Sequence, residues 1–168
     1  AGLVTVGIVV ELEVIDVDHD DGDWDMVAPA APPFAVESLL DYSERLMRQQ
    51  IEKIPDGTYT ATGTVDGFLD SEDPTLRNLP VRISVTVAGS DMTIDLEGTA
   101  PQVPGHAINM PFIGTVDVAI WLTLRSILLD SEVFGPIPQN DGLFRPITIR
   151  APEGSIANPI FPAPTIAR

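Results

Sequence analysis

The stretch LPVRISVTVAGSDMTIDL, residues 79–96, decides the fold of this chain. Apolar and polar side chains alternate on both sides of Gly89-Ser90-Asp91. Alternation with a period of two residues is typical of strands with one buried face, and a short glycine-containing segment between two such runs predicts a β-hairpin. We therefore expect antiparallel strands over Leu79–Ala88 and Met92–Leu96. The buried face of the second strand is predicted to carry Met92, Ile94 and Leu96.

Helices and further strands are expected on either side of this hairpin. Apolar residues at three- and four-residue spacings from Val36 to Ile54 predict a helix that Pro55-Asp56-Gly57 ends. Thr115–Leu129 is apolar on most sides, which is typical of a buried helix forming a central layer. Thr58–Phe68 and Phe144–Arg150 are predicted strands. The expected fold class is α+β, an antiparallel sheet packed against two main helices.

The first 33 residues differ in character from the rest. They hold a predicted strand, Leu3–Val17, an acidic loop, Asp16–Asp25, and a proline-rich spacer, Ala28–Pro33. We expect a boundary after this segment, with residues 1–33 as an appendage and residues 34–168 as the main domain. The absence of an initial Met and the end at Arg168, just after a proline-rich run, suggest a fragment of a larger chain.

Composition excludes several classes of function. The net charge is −16, so nucleic-acid backbones and anionic membrane surfaces would be repelled. The chain has no cysteine, which excludes disulfides, thiol catalysis and cysteine-based zinc sites. No targeting signal is visible, and the apolar run Val116–Leu129 is too short to span a bilayer. These features predict a cytoplasmic protein without nucleic-acid or membrane partners.

The acidic loop is the first candidate for chemistry. Asp16, Asp18 and Asp20 have the spacing of an EF-hand calcium loop, which also needs Gly at its sixth position and Glu at its twelfth. Asp21 and Val27 occupy those positions, so we predict a solvated acidic loop and no metal site. An acidic calcium-binding protein is the alternative. The two histidines lack neighbouring groups that would make them catalytic.

Polar residues in proline- and glycine-rich loops form the second candidate. Asn109, Asn140 and Asn158 each lie in such a loop, and Arg145 follows one of them. A buried loop needs side-chain amides to satisfy its backbone groups, and this structural role is the first interpretation. A role in ligand binding is the alternative. Arg145 could bind a carboxylate or phosphate, or equally form a salt bridge in so acidic a chain.

Five stretches in order resemble the hydantoinase B/oxoprolinase family. The resemblance covers about residues 37–168, roughly four-fifths of the chain, and does not include residues 1–33. The stretches are LLDYSERLMR (39–48), IPDGTY (54–59), PIPQNDGLFRP (136–146), APEGS (151–155), and NP (158–159) with PAP (162–164).

The resemblance implies a subunit of an ATP-dependent enzyme that opens cyclic amides such as hydantoins, 5-oxoproline or lactams. It implies an A-type partner subunit that binds ATP and phosphorylates the substrate. ATP and a divalent metal are expected in the full complex, with no cofactor bound by this chain. Asn109, Asn140, Arg145 and Asn158 match family motifs in loops, and are hypothetical substrate-binding or interface positions; no catalytic residue is assigned.

Three alternatives stay open. The first is a carboxylase subunit of the same family, since hydrolase and carboxylase members share these stretches. The second is a non-catalytic assembly domain with an exposed apolar interface. The third is the calcium-binding protein described above. The substrate ring, a homo-oligomeric state and the activity of this chain alone also stay open.

Overall fold

The structure is a computed structural model that describes residues 33–135 and 137–165. The predicted strand Leu3–Val17, the acidic loop Asp16–Asp25 and the spacer as far as residue 32 lie outside the described residues. The elements are, in chain order, α1 (Pro33–Ile51), β1 (Gly57–Gly67), β2 (Arg77–Ala88), β3 (Asp91–Asp95), α2 (Asp117–Leu128), α3 (Ser131–Phe134) and β4 (Ile147–Arg150).

The predicted hairpin is confirmed as the centre of the sheet. The strand order is β1-β2-β3-β4, and β2 pairs antiparallel with β3 across the turn at Gly89 and Ser90. Val87 faces Met92 in this register. Met92, Ile94 and Leu96 are all buried, because alternation places them on the face that packs against the helices.

The prediction of an antiparallel sheet is wrong at one strand. β1 and β2 are antiparallel, whereas β4 pairs parallel with β3, with Ile94 opposite Ile149. Parallel neighbours need a long crossover, and the chain between β3 and β4 supplies one that includes α2. The predicted strand also began too early, because Phe144 belongs to a 3₁₀ turn, Asp141–Phe144, that precedes β4.

The main core lies between α1 and the β3 side of the sheet. Met47 and Ile51 of α1 are fully buried, and Leu143 of the 3₁₀ turn is buried with them. The core also contains Val87, Met92, Ile94, Leu129, Ile137 and Ile147. Full burial of one such side chain contributes about 1.5–3 kcal/mol. This core fixes α1, the hairpin and the 3₁₀ turn against one another.

The prediction that the second helix is buried is wrong. Ile120, Leu124 and Leu128 pack against the core, but Leu122 is 59% exposed and Ile127 72% exposed. The helix covers the core with one stripe, and no other layer of the described residues lies on its far side. No helix within residues 33–135 and 137–165 is long and apolar enough to cross a membrane.

Candidate functional site

Two long loops pack together beside the sheet, and Asn109 holds them. Its side chain is fully buried. The Asn109 Oδ1 accepts from the Val103 N–H at 2.8 Å, and Nδ2 lies within hydrogen-bond distance of the carbonyls of Val103, His106 and Pro164. These contacts confirm the structural role expected for a loop amide, because they satisfy backbone groups that are buried away from water. The Asn109 amide is therefore committed to the protein itself.

Asn158 borders an open cleft in the same loop layer. Its Nδ2 donates to the Ala151 carbonyl at 3.0 Å. The cleft has a volume of about 440 Å³ and is lined by Pro111, Phe112, Ile113, Asn158, Pro159, Phe161, Ala163 and Thr165. Phe161 is 92% exposed and Ile113 is 83% exposed, so the rim is apolar. A cleft of this kind suits a small, largely apolar group that accepts or donates one hydrogen bond at its wall.

Asn140 and Arg145 lie elsewhere, against α1. The Asn140 Oδ1 accepts from the Gly142 N–H at 3.0 Å and so begins the 3₁₀ turn. Its Nδ2 reaches the Leu39 carbonyl at 3.4 Å. The four candidate residues therefore form two groups, Asn109 with Asn158 and Asn140 with Arg145. Within the described residues the side chains of the two groups bond to different partners, and a role in substrate binding stays a proposal for each residue.

Arg145 is surrounded by three carboxylates of α1. Its guanidinium lies 2.9 Å from Glu37 Oε1, 2.9 Å from Asp41 Oδ1 and 3.2 Å from Glu44 Oε2. The salt-bridge alternative for Arg145 is therefore confirmed. Because carboxylates on three successive turns of α1 meet one guanidinium, this cluster ties the 3₁₀ turn to the helix.

The cluster continues through Glu44 to the hairpin. Arg48 donates from Nε to Glu44 at 2.8 Å and from Nη1 to Asp91 at 2.9 Å. Hydrogen bonds from Arg48 and then from Arg145 lower the pKa of Glu44, whereas its carboxylate raises the pKa of Arg48. A carboxyl group with a lowered pKa stays ionised at neutral pH and is a poor general acid. The arrangement is suited to holding α1, the hairpin and the 3₁₀ turn together.

Groupings typical of metal or triad chemistry are absent from the part of the chain that the structure describes. No three His, Asp or Glu side chains there are placed to hold a metal ion. His106 lies with Nδ1 3.0 Å from the Pro104 carbonyl, and its ring packs 4.5 Å from that of Phe68. The described residues therefore do not fit a divalent metal.

Sequence reasoning missed the exposed half of α2. Its length of apolar residues suggested burial on all sides, yet Val118, Leu122 and Ile127 face outward. The signal was present in the spacing of Ala119, Thr123 and Ser126, small residues that fall on the same side.

Comparison with known proteins places the chain among enzyme subunits. The family described as Hydantoinase B/oxoprolinase matches residues 30–168. The B-type subunit of a putative D-/L-hydantoinase from Pseudomonas sp. (strain NS671) is 62% identical over 134 residues, covering 80% of this chain and 23% of that protein. The beta subunit of the caprolactamase of Pseudomonas jessenii is 29% identical over 132 residues, covering 78% of this chain and 21% of that one.

Two solved structures share the fold. The ATP-dependent caprolactamase from Pseudomonas jessenii superposes with a TM-score of 0.64 at 25% identity, over 79% of this chain and 21% of its own. A nucleotide-free acetone carboxylase superposes with a TM-score of 0.60 at 20% identity, over 73% of this chain and 16% of its own. The second likeness concerns the fold alone.

The chain spans less than a quarter of the length of the curated relatives cited here. The match to the family covers most of the chain, including the α1 cluster, the hairpin and both long loops. The chain belongs to the hydantoinase B/oxoprolinase family.

Proposed function

We propose that this chain is part of an ATP-dependent enzyme that opens cyclic amides, where it contributes a wall of the substrate pocket and contacts to the rest of the enzyme. The observation that supports this most is the 62% identity to the B-type subunit of a putative D-/L-hydantoinase. Hydantoins and lactams share a ring amide, which is a poor electrophile. Phosphorylation of the amide oxygen would supply the activation, so that water can attack the ring carbon.

ATP binding is assigned in this proposal to an A-type partner subunit. Two observations support that division of labour. The described residues contain no group of side chains that fits a metal ion, and the carboxylates around Arg145 are already paired. The role left to this chain is to bind and orient, and the cleft at Asn158 has the shape and lining for it.

Reconstitution tests this proposal. Light scattering measures the mass of the chain alone and after mixing with an A-type hydantoinase partner and ATP. Hydantoin, 5-oxoproline and caprolactam are then assayed for ring opening, and acetone with bicarbonate for carboxylation. We expect a stoichiometric complex that opens at least one ring with ATP consumption. Carboxylation without ring opening would move the chain to the carboxylase branch, and a complex without either activity would indicate an assembly domain.

A matched pair of variants links activity to the cleft. N158A removes the one amide that lines the cleft, whereas N140A removes an amide hydrogen-bonded to Gly142, on the α1 side of the fold. We expect N158A to raise KM for the ring substrate and N140A to leave KM unchanged. Equal kinetics for the two variants would contradict a substrate role for Asn158.

A further inference from the structure

The outward side of α2 carries no charge. In a helix, positions three and four apart share one side, and about half of the circumference of α2 is exposed. The exposed side chains, called here the α2 face, are those of Val118, Ala119, Leu122, Thr123, Ser126 and Ile127. Uncharged helix faces of this length are unusual on the surface of a chain with a net charge of −16.

The two hydroxyl groups on the α2 face point back to the helix. Thr123 Oγ1 donates to the Ala119 carbonyl at 2.8 Å, and Ser126 Oγ donates to the Leu122 carbonyl at 2.7 Å. Both hydroxyl donors are therefore already used, and the α2 face offers mainly methyl and methylene groups. Small side chains at these positions also allow the backbone of another element to approach closely.

Arg125 lies at the border of the α2 face and has no acceptor among the described residues. Its Nε is buried without a hydrogen-bond partner, and no ion pair to its guanidinium is found within that part of the chain. Arg48 and Arg145, by contrast, each bind at least two carboxylates. A half-buried guanidinium without an acceptor is costly, so its natural complement is a carboxylate.

We infer that the α2 face packs against an apolar segment of the same subunit, outside the residues of this chain, and that this segment places a carboxylate against Arg125. The curated relatives extend far beyond the matched region, since it makes up 23% of one and 21% of the other. A segment of the same polypeptide has a high effective concentration at this surface. The inference rests on the subunit role proposed above and is independent of the substrate.

Charge argues against a second copy as the occupant. Two copies paired through the same face would bring identical residues together. The α2 face contains no acidic side chain, so it cannot supply the carboxylate that Arg125 needs. Pairing would also bring the two Arg125 side chains towards each other and join two chains of net charge −16.

Single-cysteine labelling tests the inference, because the chain has no cysteine of its own. I127C reports on the α2 face, and E72C, at an exposed loop position, is the matched control. Each is labelled with N-ethylmaleimide in the free chain and in a full-length graft. The graft is the B-type hydantoinase polypeptide from Pseudomonas sp. (strain NS671) with its matched region replaced by that of this chain. Mass spectrometry quantifies each labelled peptide.

We expect I127C to react at least about tenfold more slowly in the graft than in the free chain, with E72C nearly unchanged. R125Q in the graft is expected to raise the I127C rate at least about twofold, while leaving the stability of the free chain unchanged. Equal I127C rates in the free chain and the graft would overturn the inference. So would protection that appears only after an A-type partner is added, or that rises with the concentration of the free chain.

Hydrogen exchange of the unmodified relative gives the same comparison if the graft does not accumulate. The amides of its segment aligned with α2 are expected to exchange more slowly than those of residues 117–128 in the free chain. Equal exchange would overturn the inference. Neither readout depends on ring opening, so a failure of the proposed activity leaves this result interpretable.

Discussion

Asn109 and Val103 are joined by two hydrogen bonds between one side chain and one backbone. The Asn109 Oδ1 accepts from the Val103 N–H at 2.8 Å, and its Nδ2 donates to the Val103 carbonyl at 3.0 Å. The pair imitates a backbone bridge in a segment that has no regular structure. Because Nδ2 also reaches the carbonyl of Pro164 at 2.9 Å, one amide connects two loops that are far apart in sequence.

Replacement of Asn109 is expected to loosen the loop layer. N109A leaves the buried Val103 N–H without its acceptor, and each buried group left unsatisfied costs about 1–3 kcal/mol. We expect a loss of roughly 3 kcal/mol in the free energy of unfolding, measured by urea denaturation. N109D should be at least as damaging, because a carboxylate cannot donate to the carbonyls around it. Wild-type stability in N109D would contradict this account.

Arg145 is predicted to stabilise the protein through charge. R145Q removes the three ion pairs to α1 and should lower the midpoint of urea unfolding. R45Q is the matched control, since it makes the same change in net charge on the exposed side of α1. The deficit of R145Q relative to R45Q should shrink in 1 M salt, because screening weakens exposed ion pairs. A deficit that salt does not alter would point to packing instead.

The pH dependence of stability should report on Glu44. Its pKa is lowered from 4.5, first by Arg48 and then by Arg145, so the folded state binds its proton less readily than the unfolded state. The stabilisation is therefore complete above pH 4.5 and is lost as the pH falls through the lower folded value. We expect the stability difference between wild type and E44Q to disappear over that range. E52Q, which makes the same charge change, should show no such loss.

Gly142 marks the closest approach of the 3₁₀ turn to α1. A Cβ at this position would overlap the carbonyl oxygen of Leu40. G142A should push the turn away from the helix and cost about 1–3 kcal/mol in a denaturation experiment. Gly63 in β1 is the control, because a Cβ there meets nothing within 4 Å. G63A should be neutral or slightly stabilising, and equal effects of the two substitutions would contradict the packing described here.

The hairpin and α1 followed directly from the sequence. Alternation from Leu79 to Leu96 determined which strand faces are buried, since a period of two leaves each side chain one choice of face. The ends of α1 were displaced by a few residues, and the strand before the hairpin agreed closely. Family membership also followed from local motifs, and the comparisons confirm it.

The tertiary structure alone decided three features. β4 lies parallel to β3 because the chain crosses over through α2, and no local pattern in Ile147–Arg150 specifies the direction of its neighbour. Arg145 meets Glu37, Asp41 and Glu44 across about a hundred residues, so its choice between ligand and salt bridge depended on the fold. The exposed side of α2 was also undetermined, because apolar composition states that a helix prefers burial but not which surface buries it.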